Sequence, residues 1–121
     1  MNMAKIDLKN SNFIVNENVA IEEAMRAITD NKRGAAIIVD SEYSVVGVAS
    51  DGDIRRAMIK GATMLTPIYK AMNLNVKTVT EKDKEILLSP RKFFDENRHI
   101  HLLPVVDKDN KLIDILVWES L

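Results

Sequence analysis

Hydrophobic positions along the chain alternate between strand-like runs and helical spacing. Phe13-Ile14-Val15 is a short β-prone run, and after the polar Asn16-Glu17-Asn18 the positions Ile21, Ala24, Met25 and Ile28 fall on one face of a helix. Asn31-Lys32-Arg33-Gly34 supplies a helix stop, and Ala35 to Val39 is an unbroken apolar run of the kind found in a buried strand. Asp40-Ser41-Glu42-Tyr43-Ser44 reads as a turn into a strand from Val45 to Ala49. Beyond Ser50-Asp51-Gly52-Asp53, the positions Ile54, Ala57 and Met58 begin a second helix that Gly61 closes. The first half thus reads β-α-β-β-α.

The second half repeats that order, with a strand at Val76 to Thr80, a helical region from Asp83 to Asn97, and strands at Leu102 to Val106 and Leu112 to Val117. Val15 corresponds to Val79 at a spacing of 64 residues, whereas Ile37-Ile38-Val39-Asp40 corresponds to Pro104-Val105-Val106-Asp107 at 67. The extra residues belong around Ser89-Pro90, because proline cannot donate within a helix and fits best at a helix start, with Ser89 as the N-cap. A kink or restart is predicted there. Either half alone, a small sheet with two helices, would leave one sheet face uncovered. The predicted fold is therefore α+β: two β-α-β-β-α repeats, residues 1–62 with an N-terminal lead-in and residues 63–121, packed with pseudo-twofold symmetry. The linker is Gly61 to Ala71, whose Met-Leu-Thr-Pro segment predicts an irregular turn.

Composition changes this picture only by exclusion. With 46% hydrophobic and 29% charged residues, 3 prolines and 4 glycines, a packed domain is expected rather than disorder. A formal charge of −1 with interleaved signs offers no concentrated basic footprint, so nucleic acid is not an expected partner. The absence of cysteine removes disulfides, thiolate catalysis and the common structural zinc sites. Met1 to Asp7 leads into no apolar run long enough for a signal peptide or a membrane span, so a cytoplasmic location is expected.

The candidate chemistry gathers at Ser50-Asp51-Gly52-Asp53. Ser50 and Asp53 stand three apart at a strand-to-helix junction and project on one side. A carboxylate there suits the two hydroxyls of a ribose cis-diol, Ser50 adds a third bond, and Gly52 permits close approach of the backbone. The competing reading is a plain helix N-terminus, where aspartates cap free amides; a metal-binding Asp-x-Asp pair lacks a third carboxylate. His99 and His101 alternate but have no third metal ligand. Arg33 reads as a charge at a helix end or as a phosphate contact, Arg55-Arg56 as a solvated face or a phosphate or interdomain contact, and the methionines as core fillers.

The stretch Gly47-Val48-Ala49-Ser50-Asp51-Gly52-Asp53-Ile54-Arg55-Arg56-Ala57, with the Ile37-Ile38-Val39-Asp40 strand and the doubled β-α-β-β-α order, resembles the CBS motif, and the resemblance covers nearly the whole chain. It is similar in particular to CBS pairs attached to sugar-phosphate nucleotidyltransferases and sugar-phosphate isomerases. The resemblance implies that Ser50 and Asp53 hold a ribose, that His101 meets the phosphate, and that the base lies against Val76 and Lys77 with Val48 beneath it. It also implies AMP, ADP or ATP as ligand, self-association as a CBS-pair dimer, and an attached catalytic domain C-terminal to Leu121. The positions equivalent to Gly47, Ser50 and Asp53 in the second repeat are Asp114, Val117 and Ser120, so one competent site per pair is expected. Trp118-Glu119-Ser120-Leu121 is expected to continue as the second repeat's final helix.

No nucleophile elbow, phosphate-loop lysine motif or glycine-rich transferase loop is present, so catalysis by this chain alone is not expected. The expected function is a regulatory nucleotide-binding module, sensing an adenine or related nucleotide and controlling an attached sugar-phosphate nucleotidyltransferase domain. The competing expectation is a ligand-free oligomerisation module that holds attached domains together.

Overall fold

The computed structural model describes residues 11–118. The lead-in before them, Ser120 and the expected final helix lie outside the described residues. Strand β1 (Ile14–Asn16) runs parallel to β2 (Ala35–Val39), connected through α1 (Ile21–Asn31). Strand β2 pairs antiparallel with β3 (Val45–Ser50), which leads directly into α2 (Asp51–Ile59). A linker with a 3-10 turn at Ile68–Lys70 is followed by α3 (Lys84–Leu88), α4 (Pro90–Glu96) and the antiparallel pair β4 (Leu102–Val106) and β5 (Leu112–Val117).

The period-two alternation of strand side chains sets the layers. Ala36 and Ile38 of β2 pack with Ala24, Ile28 and Ile54 of the two helices, whereas Ile37 and Val39 meet Leu102, Val106 and Ile115 of the second sheet. Leu103 and Val105 of β4 turn away from that interface onto Phe94 of α4. The order of layers is helices, sheet, sheet, helices. Strand β2 is apolar at every position because both of its faces are covered.

The pseudo-twofold relation is visible in backbone hydrogen bonds. Ser44 forms an antiparallel bridge with Lys111, its own equivalent at the 67-residue spacing, so the axis passes through this bridge. On either side Val45 N donates to Asn110 O at 3.1 Å and Leu112 N donates to Tyr43 O at 3.0 Å. The two turns are built alike: Tyr43 and Asn110 adopt φ of 69° and 65°. Asp40 Oδ1 accepts from Glu42 N and Ser44 N, as Asp107 Oδ1 does from Asp109 N and Lys111 N.

Two elements differ from the sequence reading. The strand expected at Val76 to Thr80 is reduced to a single parallel bridge between Val79 and Val105. In the first sheet Ile37 N donates to Phe13 O at 2.7 Å. The equivalent of Ile37 is Pro104, which has no N–H, so the matching bond to Lys77 cannot form. The helix expected from Asp83 to Asn97 divides into α3 and α4 at Ser89, whose φ of −138° and ψ of 68° are non-helical. Pro90 takes the first helical position and disfavours helix in the residue before it, and the Ser89 side chain makes no capping bond. Among the described residues no helix is long and apolar enough to cross a membrane.

The linker is stitched onto the first sheet. Pro67 bridges Ala20, Ile68 is fully buried, and Asn73 bridges Val48. Gly47 lies beneath this crossing: a Cβ there would stand 2.9 Å from Asn73 O and 2.9 Å from Met72 Sδ. Gly47→Ala is therefore expected to lower stability by about 1–3 kcal/mol, the usual range for overpacking. Urea unfolding measures it, and an unchanged midpoint would contradict the close crossing.

Candidate functional site

The end of β3 and the start of α2 form a closed capping box. Asp53 N donates to Ser50 Oγ at 3.1 Å, while Asp53 Oδ2 accepts from Ser50 N at 3.0 Å and from Ser50 Oγ at 2.8 Å. The capping reading of these residues is thus structurally correct, and it leaves the other carboxylate oxygen for further work. Asp53 Oδ1 accepts from Arg56 Nη2 at 2.8 Å, and the Asp53 side chain is 15% exposed.

This oxygen borders a cleft of about 620 Å³, a size that suits a small-molecule ligand. Val48, Ser50 and Asp53 line it from β3 and α2, and Val76, Lys77 and His101 line it from the other half of the chain. Residues more than twenty positions apart therefore share one space. Gly52 is not part of the lining: it sits in the first turn of α2, where a Cβ would come within 3.2 Å of Arg56 Nη1.

The polar groups of the cleft are partly committed. Val48 N donates to Asn73 O at 3.0 Å and Val48 O accepts from Asn73 N at 2.7 Å, so Val48 contributes an apolar side chain rather than a backbone edge. His101 Nδ1 lies 3.1 Å from Arg33 O. A carbonyl only accepts, so Nδ1 carries the proton, and the neutral ring presents an acceptor lone pair at Nε2. His101 donates to a phosphate through Nε2 only as the imidazolium.

Sequence reasoning did not place Asn73, Asn75 and His99 in the site and left Arg56 between a solvated face and a phosphate or interdomain contact, yet all four line the cleft. Arg56 had a legible signal, since it stands one helical turn from Asp53. The two asparagines had none, because their position follows from the linker crossing over Gly47. At the equivalent place in the second half, Asp114 is exposed with Oδ1 accepting from Ile115 N, and Val117 packs into the apolar interface between the sheets. Ser120, the third position, is outside the described residues.

The cleft thus pairs one carboxylate with Arg56, Lys77 and two imidazoles around apolar walls from Val48 and Val76. Among the described residues no cluster of three or more His, Cys, Asp or Glu side chains is arranged to hold a metal ion. The arrangement suits a ligand with a vicinal diol, a flat apolar part and an anionic group.

Residues 5–60 match the family model of the CBS domain. A Helicobacter pylori protein is 30% identical over 103 residues, covering 85% of this chain and 31% of its own length. Arabinose 5-phosphate isomerase GutQ of Escherichia coli is 31% identical over 98 residues, covering 77% of this chain and 28% of its own. The chain therefore spans less than about a third of these relatives. Among solved structures, a CBS domain protein of Pyrobaculum aerophilum complexed with AMP superposes with a TM-score of 0.66 at 23% identity, over 86% of this chain and 78% of that one. CBSX2 in complex with AMP gives a TM-score of 0.66 at 24% identity, over 88% and 81%. Residues 5–60 thus match the CBS domain, and the described residues have the fold of CBS-domain pairs.

Proposed function

We propose that the cleft binds a ribonucleotide, an adenine nucleotide such as AMP, ADP or ATP or a close relative, and that binding regulates an attached enzyme domain. The observation that carries this reading is the convergence of Ser50 and Asp53 with Val76, Lys77 and His101 in one cleft. Asp53 Oδ1 takes the ribose diol, Val48 and Val76 flank the base, and Lys77 with His101 meets the phosphate. The AMP bound by the two similar CBS structures supports the choice of ligand. Regulation then requires that two arrangements of the attached domain differ in ligand affinity.

In this reading the chain is a cytoplasmic, non-catalytic module of two repeats, divided near residue 62. The Gly47 to Ala57 stretch supports a sugar-phosphate nucleotidyltransferase as the attached domain. The similarity to arabinose 5-phosphate isomerase GutQ supports a sugar-phosphate isomerase instead, and is the specific observation behind that second reading. Self-association of two CBS pairs is supported by the outer face of α1 and α2. A groove of about 470 Å³ there is lined by Met25, Met58 and Ile59, and Ile59 is 79% exposed.

Calorimetric titration with AMP, ADP, ATP, CMP and GTP tests the nucleotide reading. One of the adenine nucleotides is expected to bind and Asp53→Ala to abolish binding. That variant also loses the capping box, at a cost of about 1 kcal/mol that leaves the fold intact in an unfolding curve. Silence toward every nucleotide, with self-association retained, would leave the oligomerisation module as the function. Ile59→Glu is expected to weaken self-association by about tenfold or more in sedimentation equilibrium with little change in monomer stability. An unchanged dimer would move the contact to another face.

A further inference from the structure

The starting point is the state of the Asp53 carboxylate, and the inference rests on the reading of the cleft as a ribonucleotide site. Oδ2 already accepts from the amide and hydroxyl of Ser50, and Oδ1 accepts from Arg56 Nη2. With about two lone pairs on each oxygen, Oδ1 receives both hydroxyls of a diol only when Arg56 leaves. The Ser50 bonds close the first turn of α2 and cannot be exchanged without uncapping the helix. The Arg56 bond can be exchanged: its side chain is 64% exposed. An exposed pair of this kind biases an equilibrium by about fivefold at most. The guanidinium packs over Gly52, where a Cβ would stand 3.2 Å from Nη1 and 3.5 Å from Nη2 and would displace it by a few tenths of an ångström.

We propose that Arg56 is the specificity residue of this site: it closes Asp53 in the empty cleft and transfers to the ligand's phosphate when a ribose diol takes Oδ1. The exchange keeps the guanidinium bonded to an anionic oxygen at each stage, so an anionic ribonucleotide replaces what it displaces. An uncharged ribonucleoside displaces the same contact and returns nothing to Arg56. The cleft therefore selects nucleotides over nucleosides through a residue that touches Asp53 beforehand, in addition to the attraction of Lys77 across the cleft.

The test is calorimetric titration of the whole chain with AMP and with adenosine, for the wild type, Arg56→Met and Gly52→Ala. The wild type is expected to prefer AMP. Arg56→Met is expected to weaken AMP by about tenfold or more and to tighten adenosine by up to about fivefold, so that the preference collapses. Gly52→Ala crowds the guanidinium while favouring the helix, and is expected to shift both ligands in the same directions by less. Equal losses of both ligands in Arg56→Met would confine Arg56 to a structural role and overturn the proposal, as would an unchanged preference for AMP. A wild type that binds both alike overturns the role of Arg56 alone. A wild type that binds neither removes the nucleotide reading on which it stands.

Discussion

The apolar contact between the two sheets is the constraint on which the rest of the molecule depends. Ile37, Val39 and Val45 of one sheet pack directly against Leu102, Val106, Leu112 and Ile115 of the other. Each sheet is otherwise covered on only one side, by α1 and α2 or by α3 and α4, so neither half completes a core without its partner. The same contact carries the axis through Ser44 and Lys111 and holds the end of β3 opposite the segments at Val76 and His101. The cleft is a by-product of that packing: it opens where a three-stranded and a two-stranded sheet meet.

The inequality of the halves has a local physical cause. Pro104 cannot make the bond that Ile37 makes to the preceding strand in the first sheet, and the segment before α3 pairs through the Val79 bridge. The residues just before that bridge, Val76 and Lys77, reach the cleft wall instead of a full ladder. Val117 packs inward where Ser50 offers an oxygen. The fold repeats its architecture, while the carboxylate that borders the cleft, Asp53, comes from the first half.

At the junction of β3 and α2 the side chains that cap the helix also border the cleft. Ser50 and Asp53 cap α2 reciprocally and also border the cleft, so the alternatives of helix cap and ligand contact are not exclusive. One carboxylate oxygen is committed to the helix. The other is held by Arg56, an exposed and replaceable partner.

Strands at Ala35–Val39, Leu102–Val106 and Leu112–Val117 and the helix restart at Pro90 were legible in the sequence. Local patterning determines them: uninterrupted apolar runs, helical spacing, proline geometry and turn residues act over a few positions. Six of the seven candidate residues also line the cleft, because the repeat spacing and the resemblance together indicate which segments face each other. Tertiary structure alone decided the remainder. The loss of the Val76 to Thr80 strand depends on which residue of a neighbouring strand lacks its N–H. Asn73 enters the cleft because the linker crosses Gly47, and Gly52 lies in the first turn of α2, outside the lining. Those outcomes require the identity of an atom brought close by folding from another part of the chain or from the next turn of a helix, and no local pattern records that approach.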